Sequence, residues 1–181
     1  MPELQAARAS VSRGNQEVRV APARDEWERA AFFFKEVLTR QPAFAEARLR
    51  RGRVLSALGD YAEAAIELRT ALSSLEDDTL RYYADMFLGT AEEGLGHFDA
   101  ARDAYARARA RFPRAQKPRL AISQIEFRLN RRQAAVDAIA PLFDPDPDPA
   151  GDPWTTYHIS QARGADERLR EVWQLVPAGT P

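Results

Sequence analysis

Few residues in this chain could do chemistry, and their spacing limits what that chemistry could be. There are two histidines, His97 and His158, and no cysteine. Disulfides, thiolate nucleophiles and cysteine-type zinc sites are therefore excluded. His97 falls in a turn, where a polar residue is expected. His158 falls beside Trp154 and Tyr157, where it would be half buried, and neither histidine has a second one at ligand spacing. Glu92 and Glu93 could be imagined as an acid–base pair. Adjacent helical residues point in different directions, however, so a solvated face is the better reading. Asp144, Asp146, Asp148 and Asp152 alternate as calcium-loop ligands do, but prolines intervene and the closing glutamate is missing. They read as linker. No glycine-rich phosphate loop, G-x-S-x-G elbow or H-E-x-x-H occurs. The expectation is no catalytic residue, no metal site and no cofactor, which moves the question of function towards surface recognition.

Composition narrows the partners. The 181 residues are 45% hydrophobic and 29% charged, ordinary for a soluble globular chain of one or two domains. A net charge of −1 gives no global pull towards nucleic acid or an anionic membrane. RNA binding through helical repeats is disfavoured for the same reason. Lys35 and Lys117 are the only lysines, and arginine and alanine are abundant, which points to a GC-rich, bacterial genome. No run approaches the roughly 18 apolar residues of a membrane span. Residues Met1 to Ser10 lack the apolar core of a signal peptide. The default compartment is the cytoplasm, with the periplasm as the alternative if an export signal has been removed.

The elements that must position any surface repeat themselves. Gly52, Gly59, Tyr61 and Ala64 recur 37 residues on as Gly89, Gly96, Phe98 and Ala101. A weaker third copy, Ser123, Asn130 and Ala135, follows after 34 more. Self-similarity at this period is the signature of stacked helical hairpins. Residues 1–23 show no period and read as an irregular tail. Asp25 and Glu28 have capping-box spacing and open a helix with Trp27, Ala30, Ala31, Phe34, Val37 and Leu38 on one face, stopped by Pro42. Further helices are predicted over about 45–58, 61–74, 80–94, 98–111, 118–129 and 132–143. Asp60 and Glu63 form a second capping-box pair, and the turn from Glu76 to Thr79 takes up the three extra residues of the longer step. Residues 144–153 alternate aspartate and proline and read as a stiff linker. Residues 154–177 should form two short helices that fold back over the open end of the stack. The sum is about nine helices and no strand, an all-α chain.

This pattern resembles the tetratricopeptide repeat (TPR) family from about Asp25 to Phe143. The resemblance implies a right-handed α-solenoid of helical hairpins over 24–143, with C-terminal capping helices. Two repeats, Ala45–Asp78 and Tyr82–Ala115, match well; a half-repeat precedes them and a worn repeat, Lys117–Phe143, follows. Gly52 and Gly89 should let paired helices approach, against Ala64 and Ala101. Leu68 and Tyr105 should fill the hairpin interiors, and Tyr61 and Phe98 should wedge between repeats. The chain departs from the family at Arg48, Arg51, Glu92 and Glu126, where apolar or aromatic residues are usual, and these charges require partners if buried. Arg48, Asp85 and Arg119 occupy equivalent places and could form an alternating ladder or be solvated side by side.

In this family the first helices of the hairpins line a concave groove that holds a partner peptide or helix. Carried over, the groove would present Glu46, Leu49, Arg53 and Ser56, then Tyr83, Met86, Thr90 and Glu93, then Lys117, Leu120, Gln124 and Phe127. Leu49, Tyr83, Met86, Leu120 and Phe127 make a mixed apolar strip flanked by Arg53 and Lys117, suited to a short segment with apolar anchors and an acidic group. Alternatively, the chain's own C-terminal helices or N-terminal tail occupy the strip. The places that grip chaperone C-termini in some relatives hold Leu49, Arg53, Phe87, Lys117 and Ala121, which disfavours that ligand. The resemblance thus implies a non-enzymatic protein-interaction module with a protein or peptide partner, a scaffold or assembly factor in a bacterial assembly or secretion-type complex. The alternative is a structural protein that forms homo-oligomers through its terminal half-repeat, favoured if Trp27, Phe32 or Phe33 is exposed.

Overall fold

Three residues with left-handed backbone set the rhythm of the chain: Gly59 (φ 92°), Gly96 (φ 77°) and Asn130 (φ 60°). Each ends a helix with the same pair of backbone bonds. The amides of Gly59 and Asp60 donate to Ser56 O and Leu55 O, those of Gly96 and His97 to Glu93 O and Glu92 O, and those of Asn130 and Arg131 to Phe127 O and Glu126 O. Glycine takes this conformation without a Cβ clash, and asparagine is among the few residues that tolerate it. The weak third copy in the sequence is therefore a true copy of the turn.

The structure, a computed structural model, describes residues 24–143 together with Pro153, Trp154 and Tyr157. The helices are α1 (Arg24–Arg40), α2 (Ala45–Leu58), α3 (Tyr61–Leu72), α4 (Asp78–Gly94), α5 (Phe98–Arg111), α6 (Gln116–Arg128) and α7 (Arg132–Ile139), followed by a 3₁₀ turn, Ala140–Phe143. There is no strand among the described residues. The hairpins α2–α3, α4–α5 and α6–α7 stack in order, α1 packs on α2, and α2 also touches α4. This is an all-α solenoid of stacked helical hairpins. The tail over 1–23, the linker up to residue 152, and the last two helices apart from Trp154 and Tyr157 lie outside the described residues.

The hairpins nest where side chains are missing. A Cβ on Gly52 would stand 2.5 Å from Leu68 Cγ, and one on Gly89 would stand 2.4 Å from the Tyr105 ring. A mid-helix glycine costs about 0.5–1 kcal/mol relative to alanine. Complete burial of Leu68 contributes about 1.5–3 kcal/mol, so the exchange favours the glycine. Between hairpins, Gly94 lies under the ring of Tyr61, which wedges into the seam as its position in the repeat implies. Two apolar cores result. One gathers Leu55, Leu68, Ala84, Phe87 and Leu88. The next gathers Tyr82, Met86, Tyr105, Ile122 and Ile125.

The helix starts differ from the sequence expectation. α1 begins at Arg24, so Asp25 sits inside its first turn. The Asp60 side chain makes no cap bond, and Glu63 turns instead to Arg51. The cap that does form is Asp77, whose carboxylate accepts from Leu80 N at 2.8 Å and starts α4 at Asp78, two residues earlier than the pattern predicts.

Ala64 and Ala101 have no exposed surface. Ala64→Leu and Ala101→Leu should each overpack the stack and destabilise it by about 1–3 kcal/mol. Urea unfolding is the measurement; an unchanged midpoint for both would refute this register.

Candidate functional site

The buried charges on the first helices are met by charges on neighbouring helices. Buried Arg51 pairs with Glu67 and Glu63 of α3. Arg48 reaches Glu67 at 2.8 Å and donates to Pro42 O at 2.8 Å. Asp85, fully buried, receives Arg107 Nε at 2.8 Å and lies 3.6 Å from Arg111 Nε. Burial raises its carboxyl above the usual carboxylate range, while the two arginines pull it the other way. Glu92 pairs with Arg69 of the preceding hairpin and lies 3.0 Å from His97 Nδ1. Glu126 repeats that arrangement, with Arg102 of the preceding hairpin at 3.7 Å and Arg131 at 3.5 Å.

These pairings settle several expectations. Arg48, Asp85 and Arg119 form no ladder. Arg48 and Arg119 each reach back six residues to a proline carbonyl, Pro42 O and Pro113 O, and Asp85 turns to α5. Glu92 is not on a solvated face, because its side chain is buried in the seam. Glu93 accepts a hydrogen bond from Tyr105 OH at 2.6 Å, so the two carboxylates diverge and share no site. Burial, followed by that carboxylate, pushes the Tyr105 phenol far above its ordinary range, and it remains a donor. Among the described residues no group of three His, Cys, Asp or Glu could hold a metal ion. His158 and the four aspartates from Asp144 to Asp152 lie outside those residues.

The predicted groove residues separate into three sets. Leu49 and Met86 are buried members of the two cores and offer no surface. They are corrections to the predicted strip: the neighbouring hairpin covers positions that a single repeat would leave open. Arg53, Ser56 and Tyr83 are half buried in the middle of the first-helix face. Glu46, also half buried, pairs with Arg50 along α2. Thr90, Lys117, Leu120, Gln124 and Phe127 are exposed. Thr90 Oγ1 donates to Met86 O at 3.2 Å. Gln124 and Phe127, the latter 67% exposed, line an open cleft of about 500 Å³ with Glu93, Ser123 and Arg128.

The middle of this face is an aromatic cluster. Tyr83 and Phe87 of α4 meet Trp154 and Tyr157, which come from beyond the aspartate–proline stretch. Ring centroids are 4.9 Å apart for Tyr83–Tyr157, 5.5 Å for Phe87–Tyr157 and 5.5 Å for Phe87–Trp154. Tyr83 OH donates to Pro153 O at 2.7 Å. The Arg53 guanidinium lies over three rings: Trp27 of α1 at 5.2 Å, Tyr157 at 5.1 Å and Phe87 at 5.9 Å. Burial lowers the Arg53 pKa and raises that of Tyr157. The sequence put Trp27 in the packing face of α1 and the C-terminal helices over the open end of the stack, with occupancy of the first-helix strip as the alternative. Trp154 and Tyr157 lie on that strip, and neither they nor Trp27 were named as neighbours of Arg53. The available signal was aromatic pairing at one-turn spacing, at 83 and 87 and at 154 and 157.

Two tetratricopeptide repeat family models match the chain, over residues 23–84 and 88–148. Solved structures of similar fold include "MamA RS-1 ArsTM double mutant" (23% identity, TM-score 0.59, covering 64% of this chain and 63% of that one). Another is "MamA 41-end from Desulfovibrio magneticus RS-1" (21%, 0.61, 66% and 66%). A third is "MamA MSR-1 C2" (18%, 0.55, 79% and 69%). At these identities the likeness is one of fold alone, and this chain spans a little under two thirds of the first two. No curated protein matches it in sequence.

Asp85→Ala should destabilise the fold by about 2–3 kcal/mol. That lies at or below the bottom of the range for a broken buried pair, because Arg107 is half exposed and can turn to water. Thermal unfolding followed by circular dichroism checks this; a shift no larger than that of an exposed substitution such as Asp103→Ala would contradict it.

Proposed function

Because this chain belongs to the tetratricopeptide repeat family and is a protein-interaction scaffold, we propose that it binds a partner peptide or helix along the face formed by its first helices. The module is non-enzymatic, an assembly factor that holds its partner rather than transforming it. The observation that carries this reading is the half-buried Arg53 and Tyr83 beside exposed Leu120, Gln124 and Phe127 on successive first helices. Aromatic anchors, a cation and an open apolar end are what a short segment with apolar side chains and an acidic group would engage. Leu49 and Met86 leave the proposed contact set, and Phe87, buried in part under Trp154 and Tyr157, joins it as a ring that a segment in their place would meet. Among the described residues no helix is long and apolar enough to cross a membrane.

A second reading is favoured by one observation. Phe32 is 58% exposed, Phe33 is 64% exposed, and both line an open cleft on α1 with Glu36, Val37, Arg40 and Gln41. Apolar area of this kind is what a half-repeat would bury against another copy.

Affinity capture with wild type and an Arg53→Glu/Phe127→Glu double variant tests the first reading. Partners lost from the variant, with its helical circular dichroism at the assay temperature unchanged, are the groove ligands; identical partner lists would sink it. Sedimentation over a wide concentration range tests the second. Association abolished by Phe33→Asp is the expected outcome, and a strict monomer removes the reading.

A further inference from the structure

We propose that the aromatic cluster is an acceptor for a helical segment carrying a tryptophan and a tyrosine three residues apart. The chain supplies such a segment itself, at Trp154 and Tyr157, as a stand-in that a partner of the same chemistry must displace. This rests on the reading of the first-helix face as a binding groove, and goes further by naming what fits it and what guards it.

The stand-in has the form of a ligand. Pro153, Trp154 and Tyr157 have helical backbone, and a spacing of three puts both rings on one side of a helix. The rings stack on each other, 5.6 Å apart at 28°. Each faces Phe87, and Tyr157 also faces Tyr83 and the Arg53 guanidinium. The hydrogen bond from Tyr83 OH to Pro153 O helps to fix the register. Ring faces, one cation and one directed hydroxyl suit an amphipathic aromatic pair better than an extended tail. The half-buried Arg53 guanidinium meets three ring faces, and among the described residues it makes no ion pair.

The contact is also built to exchange. Trp154 and Tyr157 are only half buried, in contrast to the fully buried Tyr82 and Leu68 beneath them. Nine residues separate Phe143 from Pro153. A tether of that length gives the stand-in an effective concentration on the order of millimolar. A partner that engages more of the face, reaching Leu120 and Phe127 on α6, can exceed that; a weak or partial ligand cannot.

The test uses the full chain and a labelled peptide of residues 152–160, followed by fluorescence anisotropy. Trp154→Ala/Tyr157→Ala should bind the peptide at least about tenfold more tightly than wild type does. A peptide with both aromatics replaced by alanine should not bind. Equal binding to both proteins, or no binding to a double variant whose circular dichroism matches wild type, overturns the proposal. Should the double variant not fold, Tyr157→Ala decides. It leaves the acceptor rings and the Tyr83 hydroxyl intact and removes one ring of the stand-in alone, so peptide binding should rise several-fold over wild type, and no rise overturns the proposal. If the peptide fails while Arg53→Glu/Phe127→Glu still loses partners, the stand-in is wrong and the groove reading survives.

Discussion

The contact between Gly52 and Leu68, and its copy between Gly89 and Tyr105, is the constraint on which the rest of the array depends. Absence of a Cβ at these points lets each pair of helices close until a large side chain fills the gap from the opposite helix. Once the hairpins are closed, their first helices must fall on the same side. Everything proposed about recognition follows from that placement, because Arg53, Tyr83, Phe87 and Phe127 share a face only if α2, α4 and α6 do. Leucine in one interior and tyrosine in the next are not equivalent. The Tyr105 hydroxyl extends to Glu93 on the first-helix face, so the second hairpin links its interior to the face proposed for recognition, whereas Leu68 in the first has no polar group to do so.

The buried charges have a structural meaning. Asp85, Glu92 and Glu126 sit where apolar residues would serve for packing, and each is met by arginine from an adjacent helix. Buried pairs of this kind add little net stability, but they penalise any register in which the partner is missing. In a stack of similar hairpins, mispairing between repeats is the main competing structure. Arg69 with Glu92 and Arg102 with Glu126 both join a second helix to the first helix that follows it, which gives the seams an orientation as well as an area.

The turns, the hairpins and the small residues that let them close were legible in the sequence because each is a local pattern repeated at fixed spacing. Asn130 was legible as the counterpart of Gly96 for the same reason. What was not legible depends on distant neighbours. Asp60 has the residue type and spacing of a cap, yet Arg51 draws Glu63 away and the box does not close. Leu49 and Met86 belong to a first-helix face by periodicity, but adjacent hairpins bury them. Trp154 was readable as part of a short C-terminal helix that covers the stack or lies in its strip. Nothing local specified Phe87, far earlier in the chain, as its contact.

Solenoids are quasi-one-dimensional: each unit feels its neighbours, and a disturbance at one end fades as it passes along the row. Arg53 breaks that rule. Its guanidinium lies within 5.9 Å of rings from α1, from α4 and from the segment beyond residue 152. One side chain thus ties the first helix, the central hairpin and the far segment into a closed circuit. Melting should accordingly be more all-or-none than an open row of this length would allow, with both ends loosening together.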